Sequence, residues 1–417
     1  MMRELHLLLR DRGAVLWIAL AFILSATAVT LGLMEVRTQQ AELAEIERLD
    51  REDRTQVLSE QSDWGGAAYS TFHLVSDPPS DFAFAALGVR DVSPWKHRVR
   101  MLALEGQIYD TDAANPDFAL TGRFDFAFVA ALIAPLFVIL LLFDLRSGER
   151  VAGRLELIET SGGAAGRVWR TRTVLRTATL AVALILPLWV GGAVAGSSAA
   201  TLLIAALAVS VYLAFWAWLS RRASRAERSG SVNLTVLLGL WLLVCAVIPA
   251  VLSLAVERIV PLPDGGEIVL SQREAVNDAW DLPKETTMRA FLERHPEWAD
   301  MSEVTQPFEW KWYYAFQQVG DQTVEPLSTA YREGRALRDR LAGQASLVSP
   351  ATALQRVLER LADTDVQASL AYESQVRNFH ARLRAWYYPR LFGDTAFTVE
   401  AAQDLPRYEI ESGTKGK

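Results

Sequence analysis

Residues 124–145 read FDFAFVAALIAPLFVILLLFDL, and residues 146–160 continue as RSGERVAGRLELIET. The first stretch is apolar over about 20 residues and has no charge near its centre, which suits a helix that crosses a bilayer. Backbone polar groups in lipid must be satisfied within such a segment, so a helix is predicted. The second stretch is polar and predicts a short amphipathic helix that begins at Glu149-Arg150 and ends before Ser161-Gly162-Gly163.

Four other apolar runs have a similar length, and the chain is 51% hydrophobic with a positive mean hydropathy. This pattern predicts an α-helical integral membrane protein with about five transmembrane helices and a mostly helical external domain. The predicted spans are residues 14–34, 124–145, 177–195, 198–219 and 234–255.

The placement of Lys and Arg predicts the orientation of these spans. With the N-terminus in the cytoplasm, the inside segments 1–13, 146–176 and 220–233 hold 14 basic and 6 acidic residues. The outside segments 35–123 and 256–417 hold 28 basic and 41 acidic residues. The short loops therefore follow the positive-inside rule, and the two long acidic segments are predicted to be translocated.

Residues 1–13 are amphipathic and predict an interfacial elbow helix that lies on membrane lipid. Leu5, Leu8 and Leu9 would enter the interface, and the arginines of this segment would face phosphates. An ordinary basic flank is one alternative. A cleaved signal peptide is another, because Ala26-Thr27-Ala28 resembles a cleavage site, although the apolar run is longer than usual.

The external segments are predicted to be largely helical. Residues 36–62 predict a polar helix that rises out of the first span, and residues 63–123 predict an irregular region with turns. Residues 271–300 predict short helices. Ser349-Pro350 is a favourable helix start, with Ser as the cap and Pro in the first turn. The longer helices are predicted at residues 327–345, 349–363 and 366–386.

Motifs for catalysis and cofactor binding are absent from the sequence. It has no phosphate-binding loop of the Gly-x-x-x-x-Gly-Lys-Ser/Thr type, so ATP is expected to bind only a partner subunit. The five histidines lack metal-ligand spacing, although a long-range site that joins His295 and His380 with nearby acids stays open. Cys245 has no second cysteine with which to pair, and the net charge of −7 argues against nucleic-acid binding. We therefore predict no enzyme activity, catalytic residue, metal or cofactor.

Two acids and three prolines in the apolar runs each have two interpretations. Asp125 and Asp144 lie about one turn from the ends of the second run, so each is either a solvated acid or part of an ion path. Pro135, Pro187 and Pro249 are either hinges or tolerated kinks.

The stretch after the second span also has two interpretations. Its arginines can hold the loop at an anionic membrane surface, while Leu155, Leu157 and Ile158 bury against the membrane or against a partner. A helix held between a span and a partner would transmit movement from that partner. The alternative is a simple interfacial loop.

Two stretches resemble a known family. Residues 123–129 with Asp144-Leu-Arg-Ser-Gly-Glu-Arg150-x-x-Gly153-x-Leu155-x-Leu157 look like the permease subunits of ABC-2 type transporters. In particular, this stretch resembles the branch linked to copper-enzyme maturation, of the nitrous-oxide-reductase type. Residues 348–389, which include Val376-Arg-Asn-Phe379-His380, are similar to the external domain of one permease subgroup.

This resemblance implies a permease in a bacterial inner membrane, with a coupling helix that fits a groove in a separate ATP-binding subunit. A second permease, identical or homologous, would complete the complex, and a periplasmic protein is a further expected partner. Such permeases usually have six spans, whereas no sixth apolar run occurs before Lys417. Either the chain has five spans and an external C-terminus, or the sequence is truncated. The alternatives are a mechanotransmitter that moves a periplasmic partner without carrying cargo, and a membrane-anchored receptor or scaffold. The implied coupling residues are Glu149, Arg150, Gly153, Leu155 and Leu157.

Overall fold

The computed structural model describes residues 2–109, 124–160, 165–226, 228–393 and 395–409. Within these residues, five helices are long and apolar enough to cross a membrane, as the sequence predicts. The chain therefore has the features of a multi-pass helical membrane protein. The five helices, named the first to fifth spans, are Arg12–Ser59, Phe126–Val151, Ala165–Ala195, Ala199–Ser224 and Gly230–Ile259.

The first span continues without a break into the polar helix that the sequence predicts at residues 36–62. It is preceded by a separate helix, Met2–Arg10, here called the elbow helix. Asp11 divides the two because its side chain accepts a hydrogen bond of 3.2 Å from the amide of Ala14. Leu8 is buried against the spans, whereas Leu5 and Leu9 are exposed.

The second span occupies the centre of the bundle, and 67% of its 18-residue apolar segment is buried. It consists of the α-helical turn Phe126–Phe128, the π-helical turn Val129–Ile133 and the α-helix Ala134–Leu142. Pro135 cannot donate to the carbonyl group four residues earlier, that of Ala131. The Tyr212 hydroxyl of the fourth span donates to this carbonyl at 2.7 Å, so the missing backbone bond is replaced within the bundle.

The other two prolines fit their helices differently. Pro249 also follows a π-helical turn, Leu243–Val247, which separates Gly230–Leu242 from Ile248–Ile259 in the fifth span. Pro187 lies inside the regular helix of the third span. Two prolines thus coincide with local changes of helix type, and one is tolerated without a break.

A second region, here called the cap domain, is formed by residues 60–109 and 262–409 and has its own hydrophobic core around Trp64, Phe316 and Phe379. Its strands His73–Ser76 and Lys96–Val99 pair antiparallel, with His73 opposite Val99. The α-helices of the cap domain are Trp64–Ser70, Leu104–Tyr109, Gly265–Asp278, Lys284–Leu292, Trp310–Ala345, Pro350–Leu361 and Val366–Phe392. Its 3₁₀ turns are Ala83–Ala85, Gly88–Asp91, Pro296–Met301, Ser346–Val348 and Ala401–Asp404.

The cap domain enters the bundle through the helix Pro350–Leu361, here called the wedge helix. The sequence predicts a helix at residues 349–363, and the Ser349 hydroxyl accepts from the amide of Thr352 at 3.5 Å, as a cap does. Its buried face belongs to the same hydrophobic cluster as the spans, and comprises Ala351, Leu354 and Leu358. The two regions are therefore packed together through this helix.

The structure extends other sequence predictions. The helix predicted at residues 327–345 begins at Trp310, because aromatic residues that favour helices only weakly are fixed there by packing. The helix predicted at residues 366–386 continues to Phe392. The region predicted as irregular contains short helices and the two-stranded hairpin in its described part, residues 63–109, and residues 110–123 lie outside the described residues.

Candidate functional site

Residues 146–160, here called the strip, follow the apolar part of the second span. They form two short helices, Ser147–Val151 and Leu155–Glu159, and not the single helix predicted. Gly153 has a φ of +69° between them, a left-handed conformation that glycine adopts far more readily than other residues. The single-helix prediction is wrong because the chain turns at Gly153, and the amide of Arg154 then bonds the Glu149 carbonyl at 2.9 Å.

Glu149 fixes the strip to two other elements. Its carboxylate accepts from Arg154 Nε at 2.7 Å and from Arg172 Nη1 of the third span at 2.8 Å. Arg172 Nε also donates to Glu4 Oε2 of the elbow helix at 2.9 Å. The side chains of Glu4, Glu149 and Arg172 are only 15–19% exposed, so solvent screens these pairs less than surface pairs. We call Glu4, Glu149, Arg154 and Arg172 together the Glu149 clamp.

A second contact holds the far end of the strip. Arg146 and Glu159 form an ion pair across it. The indole ring of Trp169, from the third span, has the guanidinium groups of both Arg146 and Arg172 at 5.5 Å from its centroid. Cation–π attraction adds to the ion pairs here. The strip is therefore held at both ends against the third span.

The apolar side chains of the strip point in two directions. Leu155 and Ile158 pack against the hydrophobic core of the spans. Val151 and Leu157 are 90% and 78% exposed. Among the sequence-predicted coupling residues, Glu149 and Leu155 thus have internal contacts, whereas Leu157 lies on the outside.

Two charged residues accompany the exposed apolar pair. Arg150 and Glu156 are both exposed, and neither side chain forms a hydrogen bond or ion pair with another described residue. We name Arg150, Val151, Glu156 and Leu157 the outward face of the strip. Apolar side chains surrounded by free charges of both signs are the composition of a docking surface with a polar rim.

The acids weighed in the second span lie apart from each other. Asp125 is the N-cap of the span, and its carboxylate accepts from the amide of Phe128 at 2.8 Å and from that of Leu87 in the cap domain at 2.9 Å. It therefore anchors the cap domain to the span. Asp144 is half-buried at the opposite end, just before the strip. The structure does not bring these two acids together.

His295 and His380 line one cavity of about 500 Å³ in the cap domain, so the structure brings together the two histidines considered in the sequence. One ring nitrogen of each already has a partner: His295 Nδ1 is 3.0 Å from Glu297, and His380 Nε2 is 3.0 Å from the Arg100 carbonyl. Burial lowers the pKa of His380 well below its usual range, so this ring is neutral. Within the described residues, no group of three His, Cys, Asp or Glu side chains can hold a metal ion.

The same cavity contains buried ion pairs that sequence reasoning missed. Arg377 donates to both oxygens of Glu105 at 2.8 Å, and Arg384 pairs with Asp321. Arg377, His380 and Arg384 have spacings of three and four residues, which place them on one face of a helix. This polar stripe beside the apolar stripe of Val376, Phe379 and Leu383 is the signal that could have revealed the network.

Comparison with protein families gives one match. Residues 266–411, about a third of the chain, match a family described as a domain of unknown function, DUF3526. The matched range includes the helices that carry Arg377 and the wedge, but it includes neither the strip nor any of the five spans. Comparisons with curated proteins and with solved structures each found no match.

Proposed function

We propose that this chain is the permease subunit of an ABC transporter complex in a bacterial inner membrane, moved by a separate ATP-binding subunit that docks on the strip. The observation that carries the proposal is the outward face. It exposes Val151 and Leu157 together with Arg150 and Glu156, whose charges have no partner among the described residues, on a strip held to the bundle by the Glu149 clamp. The resemblance of residues 148–157 to ABC-2 permeases supports the same assignment.

The arrangement suits the transmission of movement. A partner that pushes on the outward face would transmit force through the ion pairs of the Glu149 clamp. Arg172 belongs to the third span and Glu4 to the elbow helix, so both helices would receive this force. Leu155 and Ile158 would carry the same force into the core of the spans. In this proposal the strip is cytoplasmic, the cap domain is periplasmic, and a second permease completes the complex.

In this proposal, residues that the sequence groups together have different roles. Arg150 and Leu157 would contact the partner, whereas Glu149 would position the strip and Gly153 would give it its turn. Binding of the ATP-binding subunit and coupling to its ATP hydrolysis should therefore be lost in different variants. A variant of the outward face should lose the partner, and a variant of the clamp should keep the partner but transmit less.

The test is co-purification of the tagged chain with the ATP-binding subunit encoded beside it, together with the ATPase rate of the complex. We expect Arg150→Glu combined with Leu157→Ser to release the ATP-binding subunit. Glu149→Gln should retain it but weaken the response of the cap domain to ATP. Arg222→Glu is the matched control, because Arg222 is an exposed arginine on the fourth span, outside the strip. If wild type retains no ATP-binding subunit, the proposal fails and a receptor or scaffold takes its place.

A mechanotransmitter is the second candidate function. It is favoured by the first span, which runs as one helix of 48 residues from the elbow helix to the cap domain. The wedge helix adds a packed contact between the cap domain and the spans. Transport into proteoliposomes would support the permease. The mechanotransmitter would be supported if the cap domain moved on addition of ATP without any transport. Distances between spin labels would measure this movement.

A further inference from the structure

A cavity of about 490 Å³ lies between the fifth span and the cap domain, away from the strip and from the histidine-lined cavity. One wall is a face of the fifth span, with Pro249, Leu252 and Val256 at helical spacing. The opposite wall comes from the helix Trp310–Ala345 and the wedge helix, and contains Arg335, Arg338 and Arg356. An apolar membrane helix thus faces guanidinium groups across one space.

The apolar wall is open to the bilayer in a way that the second span is not. Only 17% of the 18-residue apolar segment of the fifth span is buried, against 67% of the corresponding segment of the second span. The segment Ile248–Ile259 has no buried residue, and Val251 and Leu254 are 58% and 64% exposed. If the fifth span crosses the bilayer, its exposed side gives a molecule within the bilayer a route along this helix towards the cavity.

Two of the three arginines are already neutralised. Arg335 pairs with Glu373, and Arg356 pairs with Asp339 at 2.7 Å. Arg338 donates from Nε to the Val260 carbonyl at 2.8 Å and forms no ion pair with another described residue. Its remaining N–H groups are available to an anionic group.

One acid in the cavity is similarly available. Glu257 belongs to the fifth span, is exposed, and accepts only from the hydroxyl of Ser253, at 3.2 Å, among the described residues. After the internal pairs are discounted, the cavity holds one guanidinium group and one carboxylate, next to an apolar wall. This set of groups matches an amphiphile whose head group carries both an anion and an N–H cation.

We infer that this cavity binds a phospholipid with a phosphate and a primary amine in its head group, that is, phosphatidylethanolamine. The phosphate would lie at Arg338, where a guanidinium group forms charge-assisted hydrogen bonds. The ammonium group would lie near Glu257, and an acyl chain would follow Leu252 and Val256 along the fifth span. The inference is independent of the proposed function, because a bound lipid requires no ATP-binding subunit.

The test is native mass spectrometry of the purified chain with phosphatidylethanolamine, phosphatidylglycerol or phosphatidylcholine of identical acyl chains. We expect wild type to retain phosphatidylethanolamine about tenfold better than phosphatidylcholine. Arg338→Gln should lose this retention, and Arg338→Lys should restore part of it. Glu257→Gln should shift the preference towards phosphatidylglycerol. Arg340→Gln is the matched control, because Arg340 is exposed on the same helix outside the cavity.

Photocrosslinking separates a bound lipid from the surrounding bilayer. A benzophenone side chain at position 252 faces the cavity, whereas one at the exposed position 254 does not line it. Position 252 should capture phosphatidylethanolamine above its share of the membrane, and position 254 should capture lipids in proportion to that composition. Equal capture at both positions, or crosslinks at position 252 between two copies of the chain, would overturn the inference.

Discussion

The strip and the histidine-lined cavity of the cap domain are both rich in charge, but they use it in different ways. In the cavity, Glu105 is buried and Arg377 is mostly buried, and both oxygens of the Glu105 carboxylate accept from the Arg377 guanidinium group. In the strip, Glu149 is paired inside, while Arg150 on the neighbouring position is exposed and has no partner among the described residues. The comparison suggests that charge in the cap domain supports the fold, and that part of the charge in the strip is left for binding.

Breaking a buried pair should have the largest effect on stability. Arg377→Met leaves the Glu105 carboxylate buried without its cation, and we expect a loss of about 3–5 kcal/mol in the free energy of unfolding. Chemical denaturation of the protein in detergent measures it. Replacing both partners, with Glu105→Leu added, should recover part of the loss. Arg340→Met, at an exposed position, should change the free energy of unfolding by less than about 0.5 kcal/mol.

The wedge helix adds a pH dependence at the boundary between cap domain and spans. Burial, assisted by the nearby carboxylates of Asp125 and Asp365, raises the pKa of Glu359 to about 7, from 4.5. A hydrogen bond from Gln355 and the charge of Arg356 act in the opposite direction. Because the folded pKa lies above the unfolded one, the protonated form is favoured in the folded state.

The stabilisation from Glu359 is therefore complete below about pH 4.5 and is lost as the pH rises through 7. It amounts to at most about 3 kcal/mol. We expect the difference in thermal midpoint between wild type and Glu359→Gln to change over this interval. Two parallel pH profiles would show that folding does not raise the pKa of Glu359. The wedge helix would then add no pH dependence at this boundary.

A smaller effect is expected inside the bundle. Tyr212→Phe removes the donor to the Ala131 carbonyl and should cost about 1 kcal/mol, as for other hydrogen bonds between membrane helices. Ser210→Ala is a suitable control on the same helix, because its hydroxyl bonds only to the carbonyl four residues earlier. Equal midpoints for the two variants would show that the π-helical turn tolerates the unpaired carbonyl.

A stability effect of similar size, with the largest expected effect on coupling, is at the turn of the strip. Gly153→Ala has space for the new methyl group, so only the positive φ opposes it, at a cost of about 1 kcal/mol. We expect the complex with the ATP-binding subunit to lose ATP-driven movement while the thermal midpoint barely changes. Gly166→Ala is the control, since Gly166 lies in a regular helix with equal space. Normal coupling in Gly153→Ala would show that the turn is only a connection.

The spans and most cap helices could be predicted because apolar length and helical periodicity are local properties. Each of the five predicted runs coincides with an observed helix to within two residues at its start or lies inside it, and Ser349-Pro350 does start a helix. The turn in the strip could not be predicted from spacing alone, since residues 147–159 suit one helix as well as two. A glycine at its midpoint was the only local sign.

Contacts between residues that are far apart in the chain could not be predicted from the sequence. The wedge helix is amphipathic, which indicates that one face is buried but not that its partners are membrane spans. Glu105 and Arg377 are 272 residues apart, and no pattern in one sequence connects them. The division of the strip into inward Leu155 and outward Leu157 likewise depended on the position of the third span.

The length of the first span has a mechanical consequence. A straight helix of 48 residues measures about 72 Å, more than twice the thickness of a bilayer core. Arg98 pairs with Asp53 near one end at 2.8 Å, and the elbow helix, held by the Glu149 clamp, adjoins the other. If the whole helix tilted as a rigid rod by about 5° at the elbow, its far end would move by roughly 6 Å.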